Sequence, residues 1–391
     1  MAVGQKVTYQ DVQEIMEMIA PGVAFQVQDE SQFLQAIGFP GRMGNTFDVD
    51  HNHMEKRLNA NSATVVGAQA GGDTTIELVA GQGNNFRIGQ ILQADGSREL
   101  MRVVGPIVAN EVEVARAHNT TPATAIADGE TITRVAWPQV EKDQGGNPEA
   151  NIRQQRDNFT QIFRGEICVS TSRKKVKNKG EIMDEVREQL TTLQRDKLRD
   201  LARASLVGKR SGTPRGDDTT PREMDGLIQL ILDGATAPQG DPVIVNAALA
   251  PLDISLLDDL LGQCWERGGR PDALLMNTFQ LERLAQTIEG RRRYTSTESK
   301  AGGRVNEFVS KHGGNIRVLP ADIFVPNDIV LALDTRKLQI VKLGTGNQLF
   351  EVFEQGKRGT ADEIVFEMEV TLEAKNAVDG GHGLLQGLAR V

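Results

Sequence analysis

KGEIMDEVREQLTTLQRDKLRDLARASLVGKR, residues 179–210, is the stretch whose reading decides the fold. Ile182, Val186, Leu190, Leu193, Leu198, Leu201 and Leu206 recur near helical spacing, with charged residues on the other face. No Pro or Gly interrupts the run from Glu181 to Val207. The pattern predicts one helix over 181–207, roughly 40 Å long at ~1.5 Å per residue, and Gly208 is placed to end it.

Working outward toward the carboxyl end, a polar loop (SGTPRGDDTTPREMDG, 211–226) gives way to alternating helix and strand. LIQLIL (227–232) and SLLDDLLGQCWERGG (255–269) read as helices, the second closed by Gly268 and Gly269. DALLMN (272–277) reads as a buried strand, and TFQLERLAQTIEG (278–290) as a helix with Thr278 near its start. RVNEFVS and NIRVLP flank His312, Gly313 and Gly314 as a hairpin. Residues 222–335 therefore form one α/β unit with mixed strand pairing. IVLALD, KLQIVKL, QLFEVFE and EIVFEMEVTLEA follow as strands, the last running from Glu363 to Ala374, and are expected to complete the sheet under the long helix.

Toward the amino end, EICVSTS (166–172) predicts a strand, and residues 136–165, with Gly145, Gly146 and Pro148 at their centre, predict a polar return loop. From 62 to 135 the texture changes to short runs bounded by Gly, Asn, Asp or Pro: SATVV, TTIELV, RIGQILQA, ELMRVV, EVEVAR and ETITRV. Strand-sized runs at near-regular spacing predict a small, barrel-like all-β module inserted into the chain. Residues 1–61 read as an arm, with a short helical pattern (YQDVQEIMEMIA) stopped by Pro21 and Gly22. Such a segment gains order by lying across something else.

Composition narrows the function. Hydrophobic residues at 39% and charged residues at 25% mark a globular chain of ordinary type, while 40 glycines and 4% aromatics suit a loop-rich body. A length of 391 residues allows two or three compact units. A net charge of −9 argues against a surface that grips nucleic acid throughout. Cys168 and Cys264 stand far apart in no CxxC or CxxH spacing, which fits synthesis in a reducing cytoplasm. The opening MAVGQKVTYQDVQ has neither a basic region nor an apolar core, so neither secretion nor a membrane span is expected.

Residues that bear chemistry are few. FDVDHNH (47–53) crowds Asp48, Asp50, His51 and His53, the types a divalent metal uses. Its spacing matches neither HExxH nor a calcium loop, so a solvated polar loop is the reading preferred over a metal site. No GxSxG accompanies the five histidines at 51, 53, 118, 312 and 382, and no phosphate-binding glycine motif occurs. No catalytic, cofactor-binding or metal residue is therefore assigned. The basic runs RKKVKNK (173–179) and Arg291, Arg292 and Arg293 suit pairing between subunits better than DNA contact.

The order of these parts resembles a known family. FTQIFRGEICVSTSRK leading into the long helix, REMDGLIQLI, LLDDLLGQCWERGGRPDALLMNTFQLERL and AKNAVDGGHGLLQGL carry the likeness, together with FRIGQIL, ELMRVV and EVEVARAHNTTPATAIADGETI within the insertion. The chain resembles the major capsid proteins of tailed double-stranded-DNA bacteriophages, of the Hong Kong 97 fold, in the subfamily with a β-rich insertion in the extended loop. The likeness covers most of the chain from about residue 62. Many relatives have a tryptophan-containing segment before the insertion, where this chain has FDVDHNHMEKRL and its tryptophans at Trp137 and Trp265.

The resemblance implies an α+β fold. Its parts are an N-arm (1–61), an inserted β-domain (62–135), an extended-loop return (136–165), a peripheral domain (166–221 and 336–391) with spine helix 181–207, and an axial domain (222–335). It also implies a non-enzymatic subunit of the virion shell, assembled in the host cytoplasm into hexamers and pentamers around packaged DNA. Portal, scaffold and decoration proteins are the implied partners. Some shells of this fold cross-link a loop lysine to an asparagine through a nearby carboxylate, and Lys142 and Asn376 are the pair to inspect. A tail, collar or decoration protein is the rival reading within the structural class, and a small-ligand enzyme built on 222–335 the rival outside it.

Overall fold

The computed structural model describes residues 31–56, 60–139 save 106 and 109, 141, 153–175, 185–237 save 214, 240–289, 307–319 save 312 and 313, 325–345, 349–358 and 361–390. Two compact units divide the chain. One comprises the described parts of Met1–Glu55 and Gln155–Val391, the other those of Lys56–Gln154.

The discontinuous unit begins with α1 (Gln32–Ala36), whose cap Ser31 accepts the Leu34 amide at 3.3 Å. Phe33 and Leu34 point from it into the core, and Ile37 joins them. Strands β1 (Met43–Thr46) and β2 (Asp50–Lys56) follow. The other unit holds β3 (Ser62–Thr64), β4 (Thr75–Glu77), β5 (Ile91–Ala94), β6 (Leu100–Val103), β7 (Glu111–Ala115) and β8 (Thr131–Ala136). They lie in the order β3-β8-β5-β6-β7-β4, and a bridge between Val65 and Leu78 joins the two ends, closing the sheet on itself. Closure removes the unpaired edges that short strands would otherwise expose. Ala63, Val65, Ile76, Leu78, Phe86, Leu92, Met101, Val103, Val112, Val114 and Ile132 fill the interior. In the same unit, buried Glu99 takes both arms of the Arg116 fork, at 2.9 and 2.7 Å, and the Ala117 and Thr124 amides. Burial alone would raise this carboxyl; the guanidinium and the two amides outweigh burial and bring it down to about 2.

The chain returns through β9 (Arg153–Phe159) and β10 (Gln161–Ser170), then α2 (Thr171–Lys175) and α3 (Glu185–Val207). Residues 181–184, the expected first turn of the long helix, lie outside the described residues. Next come α4 (Leu227–Gly234), β11 (Val243–Asn246), α5 (Ile254–Glu266), β12 (Ala273–Met276), α6 (Thr278–Glu289), β13 (Glu307–Val309), β14 (Asn315–Leu319) and β15 (Val330–Leu333). The last strands are β16 (Leu338–Leu343), β17 (Glu351–Arg358), β18 (Ala361–Ala374) and β19 (Gly383–Gln386).

A five-stranded sheet carries α3. Its order is β1-β16-β18-β10, with β17 also paired to β18. β10 and β18 run antiparallel in register from Gln161 opposite Val370 to Ser170 opposite Ala361. Alternation along β10 turns Phe163, Ile167 and Val169 inward and Arg164, Glu166 and Cys168 outward. Leu190 and Leu193 of α3 pack on Ile167, Val169 and Phe366, while Leu201 and Leu206 reach the main core. Gly208 and Gly226 let α3 end against the start of α4: the Gly226 amide donates to the Gly208 carbonyl at 2.9 Å. A Cβ on Gly226 would lie 2.6 Å from the Gly208 nitrogen.

The second sheet, β11-β19-β15-β12-β14-β13, mixes parallel and antiparallel pairs. It is covered on both faces, so ALLM and VLAL are buried at every residue. One face packs with α4 and the end of α3 through Leu275, Leu331, Leu333 and Leu384. The other packs under α5 and α6 through Leu274, Met276, Val330 and Leu385.

Three expectations are corrected. Residues 136–165 are not simply a return loop: from Arg153 they form β9, which pairs with β2, and β10 starts at Gln161 and ends at Ser170, where Thr171 and Ser172 turn into α2. RQQRDNF is polar because its outward positions face solvent, and polarity was mistaken for a loop. The segment 336–391 does not belong to one sheet, since GLLQ (β19) sits between β11 and β15. Its apolar residues are buried there on both sides. Finally, His51 and His53 lie in strand β2, with His51 only 8% exposed, rather than in a solvated loop. Period-two burial hides them, and no apolar alternation announces it.

Candidate functional site

β2 has Asp50, Asn52, Met54 and Lys56 on one side and His51, His53 and Glu55 on the other. The inward row meets β18. His51 Nε2 lies 2.6 Å from Glu373 Oε2, and His53 Nε2 lies 3.2 Å from Glu55 Oε1. The two rings stack with centroids 6.2 Å apart. Glu373 Oε1 faces away and accepts from Gln339 at 2.8 Å and from Lys375 at 2.9 Å. Burial would raise the Glu373 carboxyl; the His51 and Lys375 bonds outweigh it and bring it down to about 2. Burial would likewise raise Glu55, but His53, the Asn376 amide and Arg156 hold it below the usual carboxylate range. Arg156 reaches Glu55 Oε2 at 3.5 Å and Asp379 at 3.9 Å.

Of the four residues expected together, the structure gathers only the histidines. Asp48 and Asp50 point elsewhere, each 3.9 Å from Arg215. Glu55, Glu373 and Arg156 escaped the sequence reading. Glu55 left a signal, since positions 51, 53 and 55 share one strand face; Glu373 left none, being over three hundred residues away.

The other singled-out residues go separate ways. Asn376 has a left-handed backbone (φ 59°), and its amide donates to Glu55 Oε1. Lys142, its expected partner, lies outside the described residues, as do 176–180, Arg291, Arg292, Arg293 and His312. Arg173, Lys174 and Lys175 are in α2. His382 is fully buried, its Nδ1 accepting the Asp334 amide at 3.2 Å. Cys168 is exposed on β10 and Cys264 buried in α5, where burial pushes its thiol up to about 12.

Open clefts among the described residues include the following two. One, of about 540 Å³, is lined by Asp258, Asp259, Gln263, Glu266, Arg267 and Lys311; the other, of about 380 Å³, by Ile162, Arg215, Asp217 and Arg222 among others. Neither lining contains a His, Cys or Ser that a neighbouring base could activate. Some exposed apolar side chains lie on strands at sheet edges, Val352 and Phe353 on β17 and Val309 on β13, and others, such as Phe47 and Leu249, in loops. No described helix is long and apolar enough to cross a membrane.

Comparison with known proteins agrees with a structural chain. The family model of SU10 major capsid protein matches residues 3–389. No curated protein matches. Among solved structures, the Cyanophage A-1(L) capsid asymmetric unit is similar at 11% identity and a TM-score of 0.59, over 98% of this chain and 100% of that one. The capsid of a native GTA particle is similar at 10% identity and a TM-score of 0.55, over 99% and 100%. At such identities the structures speak for the fold, while the family match runs nearly end to end. The chain belongs to the SU10 major capsid protein family and has the Hong Kong 97-like fold of phage capsids.

Proposed function

We propose that copies of this chain assemble, as hexamers and pentamers, into an icosahedral head around double-stranded DNA, and that the chain carries no catalytic activity. The observation that carries this reading is the family match over residues 3–389. Physical features support it. Among the described residues, β17 and β13 lie at sheet edges and turn exposed Val352, Phe353 and Val309 outward to neighbours. Repeated modest contacts become strong when a shell closes. A net charge of −9 argues against a subunit that holds the enclosed DNA by neutralising its phosphates over its whole surface. Portal, scaffold and decoration proteins are the further partners of this reading, and the bacterial cytoplasm its place of assembly. The arm, inserted β-domain, loop return, peripheral domain and axial domain are the corresponding divisions, with the second sheet, β19 included, as the axial body.

Expression of the chain, alone and with the proteins encoded beside it, followed by electron microscopy, tests the proposal. Closed or partial shells are the expected result. A monomer under every condition would overturn it.

A further inference from the structure

We propose that His51, His53 and Glu373 bind a divalent metal ion of the zinc class, tying strand β2 to strand β18. One ligand-capable atom from each of the three lies within 4.8 Å of the other two. Two imidazoles and a carboxylate form a donor set that zinc takes, with the remaining tetrahedral position left to water.

The surroundings prepare each ligand. An ionised carboxylate only accepts, so the 3.2 Å contact with Glu55 places the His53 proton on Nε2. The His53 Nδ1 lone pair is then free, and that atom is buried without any hydrogen-bond partner. A carboxylate behind one ring nitrogen and a bare second nitrogen is the arrangement that orients metal-bound histidine. Glu373 is prepared in the same manner: Gln339 and Lys375 hold Oε1, and Oε2 is turned to His51. Tetrahedral zinc bonds require donors about 3.3 Å apart, so binding calls for the side chains to rotate from their present spacing and for the ion to replace the direct His51–Glu373 bond.

Around the two rings, Glu55 and Asp379 face Arg156, and Glu373 faces Lys375. A plain pair of His–Glu contacts would satisfy His51 but leaves His53 Nδ1 unused.

The test uses the untagged full-length chain, stripped with EDTA, exposed to excess Zn²⁺ or Co²⁺ and desalted. Elemental analysis is expected to give about one bound ion per chain, and bound Co²⁺ the intense visible absorption of a tetrahedral site. His53→Ala and Glu373→Gln are each expected to weaken binding at least tenfold, with far-ultraviolet circular dichroism confirming that both remain folded. Metal at background level in the parent protein, or parent-like affinity in both variants, overturns the proposal. Should a variant not fold, the weak octahedral spectrum of Co²⁺ on the parent protein would overturn it equally.

Discussion

Among individual residues, His382 couples the fold to pH. It sits fully buried, and burial pushes its imidazole down to about 4, against the pull of Asp334 and with the push of Lys337; Glu55 also favours the charged form. Above pH 6.5 the ring is neutral in both folded and unfolded chains. Between 6.5 and 4 only the unfolded chain takes up the proton, so stability is lost as pH falls through that window. The loss is of the order of 3 kcal/mol. Urea unfolding between pH 7 and 4 should show it, and His382→Asn, which keeps an acceptor for the Asp334 amide, should flatten the slope. The burial of this histidine is not legible in the sequence, because its flanking glycines look the same whether a turn is wet or packed.

Elements were legible where a period was strong. The helix stripe from Leu190 to Leu206 and the runs around Leu274 and Val330 announce themselves by spacing or continuous apolarity. β2 and β9 do not, because most of their inward positions hold polar side chains that pair with charged groups, His51 with Glu373, His53 with Glu55 and Arg156 with Glu55, instead of meeting oil. Across β10 and β18 one position is tightly specified. A Cβ on Gly165 would stand 2.3 Å from the ring of Phe366, its partner on β18. Gly165→Ala is expected to cost about 1–3 kcal/mol by forcing that ring aside. Gly212→Ala, with nothing within 4 Å, should change the denaturation midpoint little.

For the whole molecule, the decisive property is that one unit interrupts the other. The Thr160 amide bonds the Val49 carbonyl while Gln155 bonds Asn52, so numbers rise along β2 as they fall along β9 and the strands are antiparallel. The chain therefore leaves and re-enters the discontinuous unit at neighbouring points. Replacing 62–135 with a short Gly-Ser linker should leave a soluble protein with a cooperative thermal transition and impaired assembly. Aggregation or loss of the transition would show instead that the two units fold as one. The partition of 336–391 between two sheets was not legible, since β19 is four residues long and chooses its sheet by burial on both faces rather than by any local pattern.

The ladder of β10 on β18 has a mechanical meaning as well. Ten residue pairs, from Gln161 with Val370 to Ser170 with Ala361, lie side by side along one line. A force directed along that line loads all of them together in shear, whereas a force across it peels them one at a time. A wall built from such subunits resists being stretched along its strands far better than it resists being pried open at a strand end.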